Sequence, residues 1–111
     1  MKYTIKSRIW IEANGDILLG EGRVQLLKAI DETGSLTKAA KLIGMSYKKA
    51  WSLIDAVNSR AKEPVISASI GGKGGGGTQL TPYGRSLVTT FETINENCWN
   101  YLDEQISNSN L

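Results

Sequence analysis

The stretch Gly34-Ser35-Leu36-Thr37-Lys38-Ala39-Ala40-Lys41-Leu42-Ile43-Gly44-Met45-Ser46-Tyr47-Lys48-Lys49-Ala50-Trp51-Ser52-Leu53-Ile54 decides the fold. Gly34 suits a left-handed helix end, and the Ser35 hydroxyl can cap a helix over about Leu36 to Ile43. Gly44 then supplies a residue free to take positive φ. Ser46 caps a further helix from about Tyr47 to Lys62, which Pro64 must end. Two helices that cross steeply need small side chains where they touch, and Ala39-Ala40 provides them. At about 100° per residue, Ala50, Leu53, Ile54 and Val57 share one face of the later helix. The opposite face carries Lys48, Ser52 and Asp55, with Lys49 and Trp51 at its boundaries. That is the pattern of a helix-turn-helix whose second helix offers a polar, basic face to a major groove. A small helical bundle with no nucleic-acid role shares the small residues and the turn glycine, so the flanking sequence has to decide.

Upstream, Tyr3, Ile5, Ser7, Ile9 and Ile11 alternate with polar residues and Trp10, the period-two pattern of a half-buried strand. Asn14-Gly15 follows and then Ile17-Leu18-Leu19, which predicts a type I′ hairpin within residues 1–20. Val24, Leu27 and Ile30 mark a helix from Gly22 that stops at Gly34. Downstream, Val65 to Ile70 is β-prone, and Thr78-Gln79-Leu80 can return beside it. Between them, residues 71–77 hold six of the twelve glycines. As a wing tip, bare amides at Gly72 and Gly74 can approach phosphate while Lys73 neutralises it. As a plain linker the run needs no partner, but its place after a helix-turn-helix favours the wing. A nucleotide-binding P-loop fails because no Gly-Lys-Ser/Thr follows. Thr81-Pro82 opens a last helix that runs to about Ile106, with residues 107–111 frayed. The expected fold is mainly α within the α+β class: a winged helix-turn-helix in one domain, residues 1–106. It divides into the hairpin (1–20), three helices (22–63), the wing (65–80) and the long helix (82–106).

Composition sets the outer bounds. The 111 residues are 41% hydrophobic and 22% charged, an ordinary globular mix sufficient for one modest core. No histidine is present and Cys98 is the sole cysteine, which removes histidine-based nucleophilic sites, histidine-containing and four-cysteine zinc sites, and intrachain disulfides. No metal or cofactor is expected. The adjacent acids Asp31-Glu32 and Asp103-Glu104 do not face a shared site on a helix, so no catalytic pair emerges. Charge is unevenly spread: residues 36–85 carry eight basic and two acidic side chains, and residues 86–111 carry four acids and no base. A basic centre suits a polyanion. The opening Met1-Lys2-Tyr3 leads into alternation, not a signal-peptide core, and no apolar run can span a membrane, so the cytoplasm is the expected compartment.

The last helix spaces Leu87, Phe91, Ile94, Cys98 and Tyr101 by 4, 3, 4 and 3, and Leu102 and Ile106 continue the apolar side. This resembles a short coiled-coil seam. Its first turns are expected to pack inward and its later turns to pair with a second copy, with Trp99 at the margin. A two-fold homodimer suits a palindromic operator. Cys98 reads as a small core residue more than a reactive thiol, Trp51 as packing more than base contact, and Tyr47 as either a phosphate contact or an edge cap.

The combination of Ser46-Tyr47-Lys48-Lys49-Ala50-Trp51 with the lysine-split glycine run and Leu80-Thr81-Pro82-Tyr83-Gly84 closely resembles the DNA-binding domain of the molybdate-responsive transcriptional regulators, the ModE family. That domain is similar in build to the LysR-type winged helix. The resemblance covers about residues 3–106. It implies a dimeric transcription factor whose second helix-turn-helix helix, from Ser46, Tyr47, Lys48 and Lys49, reads the groove while residues 71–77 touch the flanking backbone. Family members continue into molybdate-binding domains; nothing in this sequence resembles those, so no small-molecule effector is expected from it.

The resulting expectation is a sequence-specific regulator of double-stranded DNA. Its candidate contacts are Ser35, Thr37, Lys38, Ser46, Tyr47, Lys48, Lys49, Ser52, Gly72, Lys73 and Gly74. The candidate dimer surface is Leu87, Phe91, Ile94, Cys98, Trp99, Tyr101 and Leu102. The alternative is a winged helix serving as a protein-interaction module that ignores DNA.

Overall fold

The computed structural model describes residues 1–69 and 77–111. The chain order is β1 (Trp10–Ala13), β2 (Asp16–Gly20), α1 (Glu21–Thr33), α2 (Leu36–Leu42), α3 (Tyr47–Arg60), β3 (Ile66–Ser69), β4 (Gly77–Leu80) and α4 (Pro82–Ser107). This is a winged helix-turn-helix of the α+β class, with two separate antiparallel hairpins.

The first hairpin turns on Asn14 at φ 54° and Gly15 at φ 87°, between Ala13 and Asp16, as a type I′ loop requires. Ile11 pairs with Leu19 but Glu12 pairs with Ile17, so Leu18 is an extra residue that bulges β2. The expected strand from Tyr3 begins only at Trp10. The alternation nevertheless persists: Ile5, Ser7 and Ile9 are half-buried, while Thr4, Lys6 and Arg8 are exposed. One-sided packing, without a ladder partner, produces the same pattern as a strand. The surface that this segment lies on is α4, where Ser7 Oγ is 3.8 Å from Cys98 Sγ and the Lys6 ammonium is 5.4 Å from the Trp99 ring centroid.

Helix α1 opens one residue before the expected Gly22 and ends at Gly34, whose φ of 70° needs no Cβ and whose N–H donates to the Ile30 carbonyl. Helix α2 is capped by Ser35, whose hydroxyl accepts from the Lys38 N–H at 3.1 Å. It ends one residue before the expected Ile43, and Gly44 at φ 74° turns the chain. Ala39, Ala40 and Ala50 are buried where α2 meets α3. Helix α3 stops at Arg60, two residues before Lys62, because Ala61 is already extended. Asn58 explains the early exit: its Oδ1 accepts from the Val65 N–H at 2.7 Å and draws the chain back along the helix.

The wing strands pair Ile66 with Leu80 through Ser69 with Gly77. Two junctions fasten them. The Thr78 N–H donates to the Gly34 carbonyl at 3.0 Å. Thr81 donates from its backbone to Val65 O at 2.9 Å, donates from its hydroxyl to Pro64 O at 2.7 Å, and accepts from the Gly84 N–H at 2.9 Å. One side chain therefore caps α4 and holds the start of β3. Gly84 is buried against the Val65 backbone, where an added Cβ collides with the carbonyl oxygen.

The core joins Leu19, Leu26, Leu27, Ile30, Val57 and Val65, with Val88 and Phe91 entering from α4. Two exposed ion pairs, Lys28–Glu92 at 2.7 Å and Arg85–Asp31 at 3.0 Å, link α1 to α4. Such pairs contribute at most about 1 kcal/mol each. The 26 residues of α4 span about 39 Å. The radius of gyration is 16.9 Å, against about 13 Å for a compact chain of this size. The far half of α4 thus projects beyond the core.

Gly84→Ala is expected to destabilise the fold by about 1–3 kcal/mol through overpacking, lowering the thermal midpoint by several degrees in a circular-dichroism melt. An unchanged midpoint means that α4 and Val65 are not in the contact described.

Candidate nucleic-acid interface

Helix α3 is built to show one face. Ala50, Ile54 and Val57 are buried, which turns Lys48 and Ser52 to the far side at 100° per residue. Ser46 starts the helix, accepting the Lys49 N–H at 3.1 Å. Ser46, Tyr47, Lys48, Lys49 and Ser52 are all exposed. Ser46, Lys48, Lys49, Ser52 and Leu53 line one shallow depression.

A second depression of about 270 Å³ gathers Ser35, Leu36, Thr37 and Tyr47 against Ala68, Gly77 and Thr78. The start of α2, the start of α3 and the base of the wing therefore converge on one surface. Thr37 and Lys38 are exposed on the first turn of α2, and Ser35 is half-buried by its capping bond. Tyr47 is 54% exposed and faces this groove. Gly72, Lys73 and Gly74 lie outside the described residues. Among the described residues, Lys38, Lys48 and Lys49 have no carboxylate partner, since the two ion pairs use Lys28 and Arg85. Their charge is available to an outside anion.

Trp51 differs from expectation. It is 54% exposed, not packed. Its place on the wheel, about 100° from Ala50, puts it past the core, one turn beyond Tyr47 and on the same flank. Two aromatic faces thus border the lysines. Asn58 was not singled out for a role; its task of holding Val65 joins two elements and leaves no local signature.

The apolar side of α4 divides. Phe91 is 2% exposed and Leu87 packs against the same core, so the chain's own interior covers Phe91 and leaves it no surface for a second copy. Ile94, Trp99 and Tyr101 are exposed, and Cys98 and Leu102 are half-buried. Cys98 is therefore not a core residue; it lies under the N-terminal segment beside Ser7. Among the described residues, no group of three or more acids, cysteines or histidines is placed to hold a metal, and no helix is long and apolar enough to cross a membrane.

Residues 22–85 match the family described as bacterial regulatory helix-turn-helix protein, lysR family, which takes in α1 through the first turn of α4. The chain belongs to that family. It is similar to the molybdenum transport protein ModE of Azotobacter vinelandii, 41% identical over 88 residues, which are 79% of this chain and 33% of that protein. It is 46% identical over 76 residues to the molybdenum-pterin-binding protein MopB of Rhodobacter capsulatus, 68% of this chain and 28% of that one. It is 40% identical over 72 residues to the DNA-binding transcriptional dual regulator ModE of Escherichia coli K12, 65% of this chain and 28% of that one. The chain spans a third or less of the length of these relatives. The matched region is a helix-turn-helix domain that resembles the DNA-binding domains of ModE proteins.

Ser46 separates stability from binding. Ser46→Ala is expected to cost about 1 kcal/mol of stability by loss of the cap. Ser46→Asp keeps the cap but places a negative charge beside Lys48 and Lys49, so stability holds while DNA affinity falls. Paired melts and gel-shift titrations check both halves.

Proposed function

We propose that this chain acts in the cytoplasm as a homodimer on a palindromic operator. Helix α3 enters the major groove of each half-site, and the wing reaches the flanking backbone. The observation that carries the reading is the outward face of α3, where Lys48, Lys49 and Ser52 are exposed and continuous with Ser35, Thr37 and Tyr47, and where neither lysine has a carboxylate partner among the described residues. Lys38, Lys48, Lys49 and Lys73 supply phosphate contacts, with Gly72 and Gly74 letting the backbone approach; the hydroxyls and Tyr47 at the start of α3 meet base edges. The second copy is met by Ile94 and Tyr101, with Leu102 beside them, on a stretch of α4 that stands clear of the core, while the chain's own N-terminal segment lies against Cys98 and Trp99.

Selection of bound duplexes from a random pool is expected to return an inverted repeat. Failure to enrich any duplex would sink the reading. On the selected site, Lys48→Ala and Lys49→Ala should each flatten the slope of log affinity against log salt by about 0.9 per protomer. The double variant Ile94→Asp, Tyr101→Asp should sediment as a monomer and lose at least roughly tenfold in affinity for the repeat while its melt stays cooperative.

A further inference from the structure

The flank of α3 away from the wing is also basic. Lys49 and Arg60 are eleven residues apart and so lie within about 20° of each other on one flank. Tyr47 and Asn58 have the same spacing and lie on the other flank, where Asn58 holds β3. The β1–β2 hairpin packs beside the Lys49–Arg60 flank. There Arg60, at the end of α3, and Arg23, in the first turn of α1, both donate to the Ile17 carbonyl, at 2.8 and 2.5 Å. Arg23 also reaches the Leu18 carbonyl at 3.4 Å.

Two guanidiniums on one neutral oxygen leave their charge unbalanced. Neither meets a carboxylate among the described residues. Partial burial, and then the charge of Arg60, hold Arg23 below the usual arginine value, though it stays protonated at neutral pH. Next to this pair, an open cleft of about 650 Å³ lies between the hairpin, the start of α1 and α3. Arg8, Arg23 and Lys49 line it against a single acid, Glu21. Among the described residues, the Arg8 guanidinium and the Lys49 ammonium make no ion pair. Lys49 also borders the depression that holds Lys48 and Ser52, so the cleft runs into the groove-reading face. Fastening the hairpin accounts for the two bonds to Ile17. It does not account for Arg8, or for three cations around one acid.

We propose that Arg8, Arg23, Lys49 and Arg60 form a second phosphate-binding surface, which takes the DNA backbone on the side of α3 opposite the wing. This rests on the DNA-binding reading above. Helix α3 is then gripped in the groove from both flanks, by the wing on one and the hairpin on the other. The start of α3 is the part that meets base edges, and Arg60 lies about 16 Å beyond Lys49 along the helix. The surface therefore engages backbone beyond the bases that α3 reads.

The test uses the full chain with the double variant Arg8→Ala, Arg60→Gln; glutamine can still donate to Ile17. Affinity is measured against salt on two duplexes, one trimmed to the selected site and one extended by about ten base pairs at each end. On the extended duplex the variant should lose roughly tenfold in affinity and flatten the salt slope by about 0.9 per arginine in each protomer. On the trimmed duplex it should match the unaltered protein. A wild-type slope on the extended duplex, alongside a flattened slope for Lys48→Ala, overturns the proposal and leaves the DNA-binding reading intact. A lowered thermal midpoint with an unchanged slope also overturns it and reduces the arginines to fasteners of the hairpin. If Lys48→Ala has no effect either, the DNA-binding reading falls with it.

Discussion

The close contact of α2 with α3 is the constraint on which the interface depends. Ala39, Ala40 and Ala50 are each at most 2% exposed. Side chains no larger than methyl allow two backbones to approach, and the turn between them relies on Gly44 at a positive φ. A larger residue at any of the three alanines pushes α3 off its seat. Because the two helices share one contact, the rotation of α3 about its own axis is also set there. Burial of Ala50, Ile54 and Val57 leaves Lys48 and Ser52 only one direction, outward. The groove-facing surface is thus a by-product of core packing, not a separate device.

The wing is positioned by hydrogen bonds as well as by the burial of Val65 and Leu80 in the core. Asn58 and Thr81 hold the start of β3 to α3 and to α4, and the Gly34 carbonyl holds β4, through Thr78, to the end of α1. Gly84 lets α4 come close enough for Thr81 to serve both roles. A two-stranded sheet is marginal on its own. Fastened at both bases, it becomes a rigid extension of the helix-turn-helix surface, and the groove beside Tyr47 keeps its shape.

What could be read in advance follows the range of the interaction. The caps at Ser35, Ser46 and Thr81, the Asn14-Gly15 turn and the Gly34 and Gly44 stops are local chemistry, and each was legible from two or three neighbouring residues. The element order and the outward lysines of α3 followed from periodicity. Contacts across the chain were not legible. The end of α3 shifted because Asn58 reaches Val65, seven residues on. The Tyr3–Ile9 alternation suggested a paired strand, whereas its partner is α4, with Ser7 and Cys98 separated by 91 positions. Trp51 was misjudged because a wheel boundary does not reveal whether a neighbour covers it. The pairing of Arg23 and Arg60 on Ile17 joins three elements and has no trace in spacing.

Those long-range contacts also explain how the two ends of the chain serve one surface. The N-terminal segment lies on the projecting part of α4, then turns into the hairpin whose Ile17 carbonyl receives both arginines. The same continuous backbone therefore lies beside the α4 surface assigned to a second copy and touches the flank of α3 assigned to phosphate. Pairing of two copies along α4 would hold this segment at its far end, while β1 and β2 hold it at the other. Ordering it costs conformational entropy of about 1–2 kcal/mol per residue when it is free to move. Packing on α4 at Ser7 and Lys6 already limits that freedom within a single chain.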